Sequence, residues 1–70
     1  MENKIQKAIK IARIVENLSQ DELAKRAGVA PSTIYLLEKE GKCNELTMCK
    51  VCKVLNLDLE EMLKLLKGED

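Results

Sequence analysis

The feature that most restricts the fold is a gap of only three residues, Gly28 to Ala30, between two short helical segments. Before this gap, Ser19 is followed three residues later by Glu22, a capping-box spacing that predicts the start of a helix. After it, Pro31 suits the first position of another helix, where a missing N–H costs nothing. Gly28 can adopt the left-handed conformation that ends the earlier helix. So short a connection predicts two helices that meet at a sharp corner, not a linker between antiparallel neighbours.

Helical spacing of apolar residues continues along the rest of the chain. The 70 residues contain one proline and three glycines, and no stretch alternates in the way a strand does. The sequence therefore predicts an all-α fold of five helices, at about residues 2–16, 20–27, 31–39, 45–55 and from 59 onward. The positions expected to face the core are Ile5, Ala8, Ile9, Ala12, Val15, Ile34, Leu37, Met48, Val51, Cys52 and Leu55, with Ile11 and Ile14 outside the stripe of the first helix.

Length and composition exclude several classes of function. Seventy residues allow one domain, which we expect to span residues 1–70 with a core from about 5 to 66. The chain has no His, which excludes His-based catalysis and His metal ligands. We expect no enzymatic activity, no cofactor and no small-molecule ligand. No apolar run approaches the length of a membrane span and no signal peptide is apparent, so we expect a cytoplasmic protein without membrane contact.

Three cysteines, Cys43, Cys49 and Cys52, allow two interpretations. Cys49 and Cys52 have the C-x-x-C spacing of metal and redox sites, but zinc normally takes four ligands and the chain offers no fourth Cys. The other interpretation is packing, since Cys52 falls on the apolar face of a helix and free Cys is among the most buried residue types. We therefore expect no metal site.

The segment from Ser19 to Ile34 is the most informative about function. It combines a capped helix, a small Ala24 where two helices cross, Gly28 at the turn, and Val29 and Ile34 packing back onto the core. This combination resembles the lambda-repressor/Cro-type (XRE-type) helix-turn-helix family. The resemblance covers about residues 5–63 and includes Ile9, Ala12, Arg13, Leu18, Gln20, Glu22, Leu23, Ser32, Thr33, Leu37, Glu38 and residues 50–56. It implies a compact five-helix DNA-binding domain whose second and third helices form the motif, at residues 19–39.

The resemblance also implies a binding site for double-stranded DNA. The second helix would contact a phosphate through Gln20, and the third helix would face base edges in the major groove. The residues implied to contact DNA are Gln20, Ala30, Pro31, Ser32, Thr33, Tyr35, Leu36, Lys39 and Lys42. Arg13 and Glu38 match a pair that forms a partly buried salt bridge in the family. On the residues alone, Arg13 fits a solvated surface charge equally well.

The charge pattern departs from that of a typical DNA-binding protein. Residues 30–37 carry no charge, although Arg, Lys, Asn and Gln discriminate bases best. The chain has 12 basic and 12 acidic residues, whereas DNA-binding domains tend to be basic. The charges are unevenly placed, with four basic and two acidic residues in 1–17 but three basic and five acidic in 51–70. The lysines fit a DNA-facing surface or an ordinary solvated helical surface.

The apolar residues exceed what one small core can bury, which points to an interface. Family members often pair through their last helix, so we expect a homodimer. The expected interface residues are Leu59, Met62, Leu63, Leu65 and Leu66. Leu65 and Leu66 fit core packing against the first helix equally well.

Three functional hypotheses follow. The first is a sequence-specific DNA-binding transcriptional regulator that acts as a homodimer and binds duplexes in a salt-dependent manner. The second is a protein-interaction module that uses an apolar surface at Tyr35 and Leu36. It predicts little salt-sensitive DNA binding and loss of a partner on Leu36→Lys. The third is an enzyme or a thiol-based metal sensor. It depends only on the three cysteines, and a thiol titration together with a metal-binding assay tests it.

Overall fold

The computed structural model describes residues 3–68 and places five α-helices in them. Their bounds are α1 Lys4–Val15, α2 Gln20–Ala27, α3 Pro31–Glu40, α4 Glu45–Leu55 and α5 Leu59–Leu66. No strand occurs in this part of the chain, and the expected all-α fold is confirmed. The first helix was expected to include Glu2, which lies outside the described residues.

Two capping boxes fix where α1 and α2 begin. The Asn3 side chain accepts a hydrogen bond from the backbone N–H of Gln6 at 2.9 Å, and the Asn3 backbone donates to Gln6 Oε1 at 2.6 Å. The predicted box at Ser19 is present, since Ser19 Oγ accepts from the backbone of Glu22 and Glu22 Oε1 accepts from the backbone of Ser19, both at 3.0 Å. Hydrogen bonds with the Ser19 backbone and side chain lower the pKa of the Glu22 carboxyl.

Residues in the left-handed conformation follow the first four helices. Gly28 ends α2 with a φ of 73°, as predicted, and Gly41 ends α3 with a φ of 70°. Asn17 and Asn56 adopt φ angles of 60° and 59°, which their short polar side chains tolerate. Because Gly41 is the cap, α3 extends to Glu40, one residue beyond the expected end.

The core forms where the helices meet. Its largest fully buried side chains are Ile9, Leu23, Ile34, Leu37, Met48 and Val51. The inward positions predicted for α3 and α4 are confirmed, and Ile11 and Ile14 face solvent as expected. The prediction for Val15 was wrong, because this side chain is 74% exposed. Val15 lies two turns beyond Ala8, which is itself only half-buried at the edge of the stripe, and α1 ends there.

The helix contacts leave one face of α3 open. α3 packs against α2 and α1, α2 packs against α4, and α5 packs against α4 and α1. The α2–α3 pair therefore lies at one side of the core, with α1, α4 and α5 completing it. Within residues 3–68, no helix combines the length and hydrophobicity needed to cross a bilayer.

Candidate nucleic-acid interface

The outward face of α3 consists of the residues that the resemblance assigned to it. Ala30, Pro31 and Ser32 are exposed at its N-terminal end. Tyr35 and Leu36, one turn further along, are 53% and 46% exposed. The face is therefore accessible and free of charge over its first two turns.

Three further predicted DNA contacts, Lys39, Lys42 and Thr33, lie outside the uncharged outward face of α3. Lys39 and Lys42 are exposed beyond the uncharged part of α3, Lys39 on its last turn and Lys42 just after its end. Lys39 Nζ lies over the ring of Tyr35, 5.8 Å from its centroid, in cation–π geometry. Thr33 is only half-buried and lies at the edge between the outward face and the core.

An ion pair clamps the inner side of α3 to α1. Arg13 Nε lies 2.6 Å from Glu38 Oε2, and Arg13 Nη2 donates to Glu38 Oε1 at 3.2 Å. The third nitrogen of the guanidinium, Arg13 Nη1, donates a hydrogen bond to the carbonyl oxygen of Leu18 at 2.8 Å. The Glu38 and Arg13 side chains are only 4% and 16% exposed. This geometry is that of a partly buried bidentate pair, which holds two helices at a defined angle.

Gln20 belongs to the same network. Its Nε2 donates to Glu38 Oε1 at 3.2 Å, so the first residue of α2 is tied to α3. The expected phosphate contact of Gln20 must therefore form from a side chain that is half-buried and already held by Glu38. Asp21 and Glu22 are exposed beside it in the first turn of α2 and place negative charge next to that site.

Two residues of this region, Gln6 and Lys10, were not predicted from the sequence. The buried Gln6 donates through Nε2 to the carbonyl oxygens of Glu38 and Lys39, which ties α1 to the C-terminal turn of α3. Its only signal in the sequence was the capping-box spacing from Asn3. Lys10 lines a small surface cavity together with Gln20, Tyr35, Glu38 and Lys39. Lys10 was missed because its position next to α3 depends on how α1 crosses that helix.

The structure corrects one part of the expected dimer interface. Met62 is 4% exposed and belongs to the core, because it lies at the centre of the α5 face that packs on α4 and α1. Its side chain therefore offers a partner almost no surface. Leu59, Leu63, Leu65 and Leu66 are half-buried and pack against the core at the edges of that face.

Cys52 and Cys43 have the properties of packed side chains. Cys52 is 3% exposed, and burial raises the pKa of its thiol to about 11, with neighbouring Cys43, Cys49 and Asp58 adding to the shift. Burial also raises the pKa of the Cys43 thiol. A thiol that keeps its proton at neutral pH is a poor nucleophile and metal ligand. No group of three or more Cys, Asp or Glu between residues 3 and 68 is arranged to hold a metal.

Comparison with known proteins identifies the family. The family model described as helix-turn-helix matches residues 9–62. The match includes α2, α3 and α4 entirely, and with them the corner at Gly28 and the outward face of α3. Neither the curated proteins nor the solved structures contain a match to the chain. The chain belongs to the XRE/lambda-repressor-type helix-turn-helix family, a family of DNA-binding regulators.

Proposed function

We propose that this protein is a sequence-specific transcriptional regulator that binds duplex DNA as a homodimer and inserts α3 into the major groove. The observation that carries the proposal is the contrast between the two sides of α3. Its outward face is exposed, while its inner side is held by Arg13 and Gln20 through Glu38 and by Gln6. Base readout needs a helix of fixed orientation, since hydrogen bonds to base edges tolerate little displacement.

Few side chains of the outward face can distinguish bases. The Ser32 hydroxyl can donate to or accept from a base edge, and Leu36 can contact a thymine methyl group. The phenol of Tyr35 can bond a phosphate, and Lys39 and Lys42 add positive charge at the C-terminal end of α3. One copy therefore gains modest affinity, which supports a dimer that doubles the phosphate contacts and binds a palindrome. We propose that the protein acts in the cytoplasm, without cofactor, small-molecule ligand or enzymatic activity.

Substitutions at Ser32 and Lys39 separate sequence readout from phosphate attraction. We expect Ser32→Ala to change the preference among related duplexes by about 1 kcal/mol, because it removes one base contact. Lys39→Gln should weaken binding to all duplexes alike and lower the slope of log affinity against log salt by about 1. Fluorescence anisotropy with labelled duplexes over a salt series measures both effects. Lys53→Gln, on α4 and outside the proposed interface, is the matched control. If Ser32→Ala and Lys39→Gln give the same pattern, the placement of α3 in the groove is wrong.

The second candidate function, protein binding through Tyr35 and Leu36, is favoured by the size of these two exposed side chains on an uncharged surface. Leu36→Lys distinguishes it from DNA binding. A lysine at this position strengthens non-specific attachment to DNA if α3 faces the duplex. If α3 instead packs into an apolar groove of a protein, the same lysine abolishes that contact, and the unsubstituted protein shows no salt-sensitive duplex binding.

A further inference from the structure

The exposed side of α1 carries an apolar ridge, formed by Ile11, Ile14 and Val15. These side chains are 60%, 61% and 74% exposed. Their spacing of three and four residues places them on one face of the helix. Three large aliphatic side chains adjoining one another on a small domain form the kind of patch that marks an interface.

A groove runs beside the ridge, between α1 and α5, with a volume of about 460 Å³. Ala8, Leu57, Met62 and Leu65 supply its apolar lining. Ala8 precedes Ile11 by three residues, about one helical turn, so the ridge and the groove adjoin on the same helix. The molecule thus presents a protruding apolar surface and a recessed one side by side.

The two helices that flank the groove differ in charge, because α1 is basic and α5 begins with acidic residues. All four charged residues of α1 between Lys4 and Val15 are basic. The start of α5 is acidic, with Asp58 as its cap and Glu60 and Glu61 in its first turn. The rim of the groove carries both signs, with Lys4 and Lys64 beside Asp58 and Glu61. A partner that presents the α1 ridge therefore brings lysines toward these carboxylates.

We propose that a second copy of this chain covers both features, with the α1 ridge of each copy packed into the α1–α5 groove of the other. Because ridge and groove adjoin, one two-fold axis satisfies both contacts and closes the dimer. A stable interface buries roughly 800 Å² on each partner, about a sixth of the 4722 Å² that the chain exposes. This inference rests on the homodimer in the proposed function, but not on DNA binding. It keeps Leu65 of the expected interface and replaces Leu59, Leu63 and Leu66 by the exposed side of α1.

Sedimentation equilibrium of the free protein tests the proposal without DNA. We expect the wild type to dimerise and Ile11→Lys to weaken the dimer at least about tenfold, because it places a charge in an apolar contact. Leu46→Lys is the matched control, since Leu46 is 64% exposed on α4 and belongs to neither ridge nor groove. Circular dichroism confirms that each variant remains helical.

A charge exchange tests the polar part of the contact. Lys7 is exposed on α1 one turn before Ile11, so the proposed contact brings it toward Glu61 of the other copy. Lys7→Glu should weaken the dimer, and Lys7→Glu combined with Glu61→Lys should restore it, because the two residues then have opposite signs again. If the wild type dimerises and Ile11→Lys weakens the dimer no more than Leu46→Lys does, the proposed interface is wrong, but homodimeric DNA binding is unaffected. A wild type that stays monomeric overturns the interface and the homodimer together. Failure to bind duplex DNA by a protein that dimerises as expected overturns only the DNA-binding function.

Discussion

Glu38→Ala lowers the free energy of unfolding by about 3 kcal/mol, because it leaves the Arg13 guanidinium without its main partner in a mostly buried site. The value lies at the low end for such pairs, since the Arg13 side chain keeps 16% exposure and reaches some water. Gln20 also loses its acceptor. Urea denaturation with linear extrapolation measures the change.

Two further variants distinguish the effect of the unpaired Arg13 guanidinium on stability from other effects of removing Glu38. Glu40→Ala removes an exposed carboxylate from the same helix and should change stability by less than about 0.5 kcal/mol. Glu38→Ala in an Arg13→Met background should cost clearly less than in the wild type, because no charge is then left unpaired. A loss below about 1 kcal/mol for Glu38→Ala alone would place the pair among ordinary surface salt bridges.

Gly41→Ala is expected to destabilise the fold by about 2–3 kcal/mol, through two additive causes. A non-glycine residue in the left-handed conformation costs about 1–2 kcal/mol, and the φ of Gly41 is 70°. A Cβ at this position would also overlap the side chain of Asn3, which must then move out of its capping position. Loss of such a cap costs about 1 kcal/mol.

Gly28→Ala separates these two causes. Gly28 has nearly the same φ, 73°, but a Cβ there meets nothing within 4 Å. Gly28→Ala should therefore lose only the stability that the left-handed backbone conformation costs an alanine. Thermal denaturation of both variants then gives the extra loss of stability that Gly41→Ala suffers from the overlap with Asn3. In an Asn3→Ala background, Gly41→Ala should lower the free energy of unfolding by less than in the wild type, because the overlapping side chain is absent. Equal losses for Gly41→Ala and Gly28→Ala would show that Asn3 moves aside without cost.

The sequence predicted the elements whose causes are local. The box at Ser19 and Glu22, the turn at Gly28 and the start of α3 at Pro31 depend on neighbouring residues, and all three are where they were expected. The bounds of α4 were likewise correct, because the apolar spacing and Asn56 define both the helix and its end.

The errors occurred where distant parts of the chain decide the outcome. Val15 was assigned to the core because its spacing places it on the same helix face as the buried residues. The spacing does not show where the neighbouring helices stop covering that face, and Val15 lies beyond that point. Met62 was assigned to an interface because a leucine-rich helix does not show which of its apolar residues lies at the centre of the buried face. Gln6 was missed because its carbonyl partners on α3 are more than 30 residues away. The approach of Arg13 to Glu38 came only from the resemblance to a family.

Selection of bound sequences from a random duplex library, repeated over a salt series, measures whether a homodimer of this protein distinguishes DNA sequences. We expect a palindromic site, with half-sites about one helical turn apart and affinity that falls steeply as salt increases. Enrichment of no particular sequence would mean that the protein contacts phosphates alone. Absence of duplex binding even at low salt would exclude DNA binding by α3 and assign its exposed face to a protein partner.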